Sequence, residues 1–227
     1  MNRTGRQMSE TFFLGALLTA TGGFLDAYTY LSRGGVFANA QTGNIVLLGI
    51  KLARGEFDAL LHYLIPIGAF ALGVVVAELV RHYFFRHPAI HWRQIVIVAE
   101  IGILLLAAFL PLGRWDTLVN VLISFLCAMQ VESFRKINGN ACATTMCTGN
   151  LRSGTELLFH AIRDRDAAAW RRGLQYYAII LLFILGAVLG AWCTRLMQGR
   201  AVLVCCGALA VVFAAMFIKA EEEAAAV

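Results

Sequence analysis

The chain has 227 residues, of which 59% are hydrophobic and only 15% charged, with a mean hydropathy of +0.71. So little charge excludes an ordinary soluble domain, and the net charge of +5 includes no basic run long enough to serve as a nucleic-acid arm. The composition is that of an all-α integral membrane protein, a single transmembrane domain over residues 1–227 whose main partner is the lipid bilayer.

In chain order, "MNRTGRQMSE" leads into an apolar stretch at 11–31 with no small-x-small cleavage site, so it reads as a retained first span. Asp26 sits late in it. "FANAQTGNIVLLGI" follows, and its Thr42-Gly43-Asn44 opens a short segment at 42–53. The next span, 60–83, carries Pro66 and the small pair Gly73 and Ala77. "RHYFFRHPAIHWR" then places His82, His87 and His91 in a loop, where their spacing among arginines suits lipid headgroups better than a metal. A third span, 94–112, has Glu100 at its middle, and a fourth, 116–135, ends near Glu132. "ATTMCTGNLRSGTE" repeats the tripeptide as Thr148-Gly149-Asn150, opening a second short segment at 149–162 that bears Arg152, Glu156 and His160. Spans at 173–195, with Gly186 and Gly190 as a GxxxG pair, and at 201–219 complete the chain before a solvated "EEEAAAV" tail. The GxxxG pair suits packing inside the bundle and also a homo-oligomer contact. The six cysteines form neither a CxxC pair nor a zinc-type cluster, so no metal and no cofactor are expected.

Six segments are thus long enough to cross, since a crossing takes about 20 helical residues. With the N-terminus in the cytoplasm and neither short segment crossing, thirteen basic residues are cytoplasmic: Arg3, Arg6, Arg81, Arg86, Arg93, Arg135, Lys136, Arg152, Arg163, Arg165, Arg171, Arg172 and Lys219. Six lie outside: Arg33, Lys51, Arg54, Arg114, Arg195 and Arg200. If both short segments cross, the division falls to ten against eight. The positive-inside rule favours six spans with both termini in the cytoplasm.

The repeated tripeptide extends into a longer repeat. A shift of 106 residues places Thr42-Gly43-Asn44 on Thr148-Gly149-Asn150, Asp26 on Glu132 and Tyr28 on Phe134. After seven inserted residues, Tyr63 falls on Tyr176, Phe70 on Phe183 and Leu72-Gly73 on Leu185-Gly186. The units are about 11–112 and 116–219. Each has three crossings, an odd number, so the second copy is expected upside down relative to the first. The short segments then read as re-entrant half-helices whose N-termini, with free N–H groups and partial positive charge, face each other across a common site; the alternatives are capped loops at the interface and, for 149–162, an amphipathic surface helix.

"GGFLDAYTYLSRGGVFANAQTGNIVLLGI" resembles the signature of the YoaK family of bacterial membrane proteins, through the Asp-Ala pair late in the first span and the Thr-Gly-Asn that follows. The resemblance covers nearly the whole chain. It implies six transmembrane segments in the bacterial inner membrane and brings no settled activity.

The expected function is a small transporter or permease for a small polar or anionic solute, with proton coupling as one form of it. The candidate pathway residues are Asp26, Thr42, Gly43, Asn44, Glu100, Glu132, Thr148, Gly149, Asn150, Glu156 and His160. An intramembrane carboxylate costs several kcal/mol and so usually faces a cavity or a partner. The alternatives are a membrane-embedded enzyme and a structural or sensory membrane protein. The first finds no HExxH, Ser/His/Asp set or nucleotide motif. The second would use the polar repeat only to lock the fold.

Overall fold

The computed structural model describes residues 11–85, 92–137, 140–142, 144 and 146–225. His87, His91, Arg3, Arg6 and Arg86 lie outside the described residues. Among the described residues eight α-helices form: α1 (Phe12–Ser32), α2 (Gln41–Ala53), α3 (Leu60–Phe84), α4 (Trp92–Phe109), α5 (Asp116–Ser133), α6 (Cys147–Asp164), α7 (Ala167–Met197) and α8 (Leu203–Ala225). The predicted segments reappear among them. The difference is largest in α7, which begins a turn and a half before 173 because the Asp166 carboxylate caps it, accepting the Ala168 N–H at 2.7 Å. Lys136–Ile137 pairs with Asn140–Ala141 as a small hairpin that the hydropathy pattern does not announce.

Among the described residues three helical stretches are long and apolar enough to cross a membrane: Phe57–Phe84, Trp92–Phe109 and Ala167–Met216. The last is α7 and α8 joined by a 3-10 turn. Helices α1 and α5, of 21 and 18 residues, have similar reach but are more polar. Their polar side chains are buried: Thr19, Thr21, Asp26 and Thr29 on α1, and Asn120, Ser124, Gln130 and Ser133 on α5. Groups that hydrocarbon does not solvate face protein. The outer faces of α3 and α7 are the reverse, with Leu64, Leu72, Val75, Leu181, Leu185 and Val188 all exposed.

The packing is interleaved. Helix α1 lies along α7 and α3 along α5; α2 rests on α3 and α6 on α7; α4 packs on α8. Glycines permit close approaches between these helices. A Cβ at Gly186 would overlap the Ala20 carbonyl of α1, and one at Gly73 would overlap the Phe125 carbonyl of α5. The main apolar core gathers α1, α4, α5 and α8 around Leu18, Leu25, Leu104, Ile123, Leu126 and Leu209.

Arg33, at the end of α1, is completely buried. Its guanidinium donates to the Ala107, Leu110 and Pro111 carbonyls that end α4, to Asp116 Oδ1 at 3.1 Å, and to the Tyr28 hydroxyl at 2.8 Å. One cation thus satisfies the orphan carbonyls of one helix and joins three helices. Gly34 and Gly35, both at positive φ, then turn the chain toward α2.

Candidate functional site

Asp26 points toward the chain that returns from α1. Its Oδ1 accepts the Asn39 N–H at 2.7 Å and the Ala40 N–H at 3.4 Å, just before α2 begins at Gln41. Asn39 is also buried and donates through Nδ2 to the Gly22 carbonyl at 3.0 Å. The acid of the first span therefore holds the start of the short helix. No Lys, Arg or His pairs with Asp26 among the described residues.

The tripeptides lie in the first turns of α2 and α6. Asn44 is fully buried and reaches back. Its Oδ1 accepts the Phe37 N–H at 3.0 Å, and its Nδ2 donates to the Phe37 carbonyl at 2.6 Å and to Gln41 Oε1 at 2.9 Å. Asn150 reaches back in the same sense, its Oδ1 accepting the Cys142 thiol at 3.3 Å. The asparagine of each tripeptide ties its helix to the strand of chain before it. Outside the spans, burial pushes the Cys142 thiol up to about 12 despite that bond, so it is a neutral donor.

Both helix starts line one cavity of about 660 Å³. Asp26, Asn39, Gln41 and Thr42 form one side, and Met146, Cys147, Thr148 and Gly149 another. Tyr30, Phe37, Phe70 and Phe183 supply aromatic walls, with Tyr30 and Phe37 stacked at 4.7 Å. Among the described residues no Lys, Arg or His lines it.

The structure thus brings together Asp26, Thr42, Thr148 and Gly149. Gly43, Asn44 and Asn150 stand directly behind them in the two helix starts. The other candidate residues lie elsewhere. Glu132, the sequence counterpart of Asp26, contacts Arg135, which also holds Glu78 Oε1 at 2.6 Å. Glu100 is wholly buried in α4, and neither of its oxygens has a hydrogen-bond partner among the described residues. Glu156 and His160 lie on the outer surface of α6, with His160 Nδ1 4.0 Å from Asp164. Among the lining residues that sequence reasoning missed are Tyr30, Phe37, Asn39, Gln41, Met146 and Cys147. Phe70 and Phe183 carried a signal, since the repeat alignment superposes them.

The outer ends of the short helices carry charge. Lys51 bonds Glu56 after α2 and holds that carboxyl below its ordinary value of 4.5, and Arg163 does the same for Asp164 at the end of α6. Each short helix thus runs from a cavity-lining start to a charged, exposed end.

Residues 14–215 match the family described as "Protein of unknown function (DUF1275)". The chain belongs to this family. It is also 28% identical over 184 residues to the UPF0700 transmembrane protein YoaK of Bacillus subtilis (strain 168), covering 78% of this chain and 80% of that one. No solved structure matches the chain. This DUF1275 protein, with its apolar helices and transmembrane relative, is a membrane protein.

Proposed function

We propose that the chain is an inverted-repeat permease whose solute site is the cavity between the two short helices. The observation that carries this reading is that both Thr-Gly-Asn helix starts line the same cavity beside the buried Asp26. The packing supports the repeat, because the main helix pairs have counterparts under the exchange of units. α1 on α7 answers α5 on α3, α2 on α3 answers α6 on α7, α4 on α5 answers α8 on α1, and α4 meets α8. Arg33 also leaves the set of outside charges, being buried, so the remaining basic residues favour the cytoplasmic side more strongly. On this reading α1, α3, α4, α5, α7 and α8 cross, α2 and α6 enter from opposite sides, and both termini are cytoplasmic.

Broken or short helices meeting at a repeat interface are a recurrent transporter device, and their N-termini favour anionic groups. One unit of motion is α1 with α6 and α7; the other is α5 with α2 and α3. The α4–α8 contact serves as the seam about which they rock. Asp26 supplies a titratable acid at the cavity wall, with no cation among the described residues to fix its charge.

Reconstitution tests the proposal. Solutes that stabilise the purified protein are assayed for entry into liposomes, with and without a pH gradient. The expected result is saturable flux that an Asp26→Asn variant renders insensitive to the gradient. A stabilising solute that occupies the cavity but never crosses would sink the permease reading.

A further inference from the structure

A single acid faces the cavity. Asp26 is 5% exposed, and the Asn39 and Ala40 amides both bond its Oδ1. An ionised carboxylate offers about four acceptor sites, and these amides use two. Asp26 also acts electrostatically on Cys147, the first residue of α6. The anion that a helix start favours is therefore already present in the protein, and one carboxylate serves both starts. The other titratable groups around it are Tyr30 on its own helix and the Cys127 thiol of α5, which engages the Asn39 side chain. From α3 and α7 come Phe70, Phe183 and Ala187. Arg33, two turns on in α1, is held by Asp116. Among the described residues no cation acts on Asp26 from any element packed around it.

The full charge of the wall is thus single and negative. Each helix start is worth roughly half a unit charge spread over a turn. The carboxylate is a whole charge on two oxygens, so at contact distance it sets the sign of what the wall attracts. The rest of the wall selects further. Tyr30, Phe37, Phe70 and Phe183 bring rings from four separate parts of the chain. Ring faces attract a positive charge, as a carboxylate does, and repel an anion. The volume of about 660 Å³ admits a ring-sized body and lies within the range of small-molecule sites.

We infer that the cavity binds a small organic monocation, an amine or quaternary ammonium with an apolar body, its charge at Asp26 and its body against the rings. This deepens the permease reading and rests on its choice of the cavity as the solute site. Asp26 cannot hold a proton and pair with a cation at once. A cation that binds at the protonated acid releases one proton, so on that reading the coupling takes the form of exchange.

The test is thermal unfolding of the full-length protein in detergent with benzyltrimethylammonium, benzyl alcohol or phenylacetate. The three share a ring and differ in charge. Benzyltrimethylammonium should raise the midpoint by about 3–6 °C at ten times its Kd. The neutral and anionic probes should not do so at that concentration. The cation's shift should shrink as the pH is lowered, because protons then take the acid. Two variants locate the site. Asp26→Asn keeps an acceptor for the amides and removes the charge, and should weaken the cation at least about tenfold. Phe70→Leu keeps an apolar wall and removes a ring, and should weaken it about fivefold. The inference is overturned if the cation gives no shift, if benzyl alcohol or phenylacetate matches it, if the shift is the same at every pH, or if either variant, folded, keeps the full shift. Where Asp26→Asn does not fold, the pH series and Phe70→Leu decide. Binding without flux in liposomes would leave this site standing and remove the permease reading, so the two failures are distinct.

Discussion

Asp26 and Glu132 are equivalents in sequence and unlike in surroundings, so their removal should cost different amounts. Asp26 is 5% exposed, and its Oδ1 accepts two backbone N–H groups. Asp26→Ala would orphan both. An unpaired buried donor costs roughly 1–3 kcal/mol, and the longer 3.4 Å bond contributes least, so the loss should be about 2–4 kcal/mol. Asp26→Asn keeps an acceptor but loses the charge that strengthens the bonds, and should cost about 1 kcal/mol. Glu132→Gln should cost under about 1 kcal/mol, because Arg135 is half-exposed and retains Glu78. The assay is unfolding in detergent at a fixed scan rate. For a chain of this length each kcal/mol shifts the midpoint by about 2–4 °C. The order should be Asp26→Ala lowest, then Asp26→Asn, then Glu132→Gln close to wild type. An Asp26→Ala protein as stable as Asp26→Asn, or a Glu132→Gln protein as damaged as Asp26→Ala, would refute the claim that Asp26 pins the start of α2.

Two further predictions follow from packing. Gly186→Ala should destabilise by about 1–3 kcal/mol or more because backbone must yield at Ala20, whereas Gly149→Ala, with no described residue against an added Cβ, should be neutral or gain up to about 1 kcal/mol; paired unfolding curves check both. Arg33→Met should lower stability by about 3–5 kcal/mol, since it strands Asp116 and three carbonyls at once, and Asp116→Asn in that background should recover part of the loss.

Much of the fold was legible because bilayer length and hydropathy constrain it. The long and short helices follow from apolar runs punctuated by Thr-Gly-Asn. Asp26 was legible as a wall residue because a carboxylate in an apolar run needs a partner, and a returning loop was within reach. Its exact partners were not, since Asn39 and Ala40 engage it through backbone amides that any residue possesses. The divergence of Glu132 was hidden for another reason. Arg135 lies three residues on, a pairing visible in sequence, but nothing there says whether the acid turns toward that arginine or toward the cavity. Arg33 reads as a loop cation until its acceptors, distant in sequence at Ala107–Asp116, are seen to converge on it. The aromatic walls come from four separate elements, and no local pattern assembles Tyr30, Phe37, Phe70 and Phe183.

The account depends on α2 and α6 approaching the shared cavity from opposite sides of the membrane. Arg54, just beyond α2, and Arg165, just beyond α6, are both exposed and mark the outer ends of the two helices. Single cysteines at these positions, in a background lacking the six native cysteines, can be reacted with a membrane-impermeant maleimide in intact cells and in inverted vesicles. The account predicts that Arg54→Cys labels in intact cells and Arg165→Cys only in inverted vesicles. Labelling of both from the same face would contradict it.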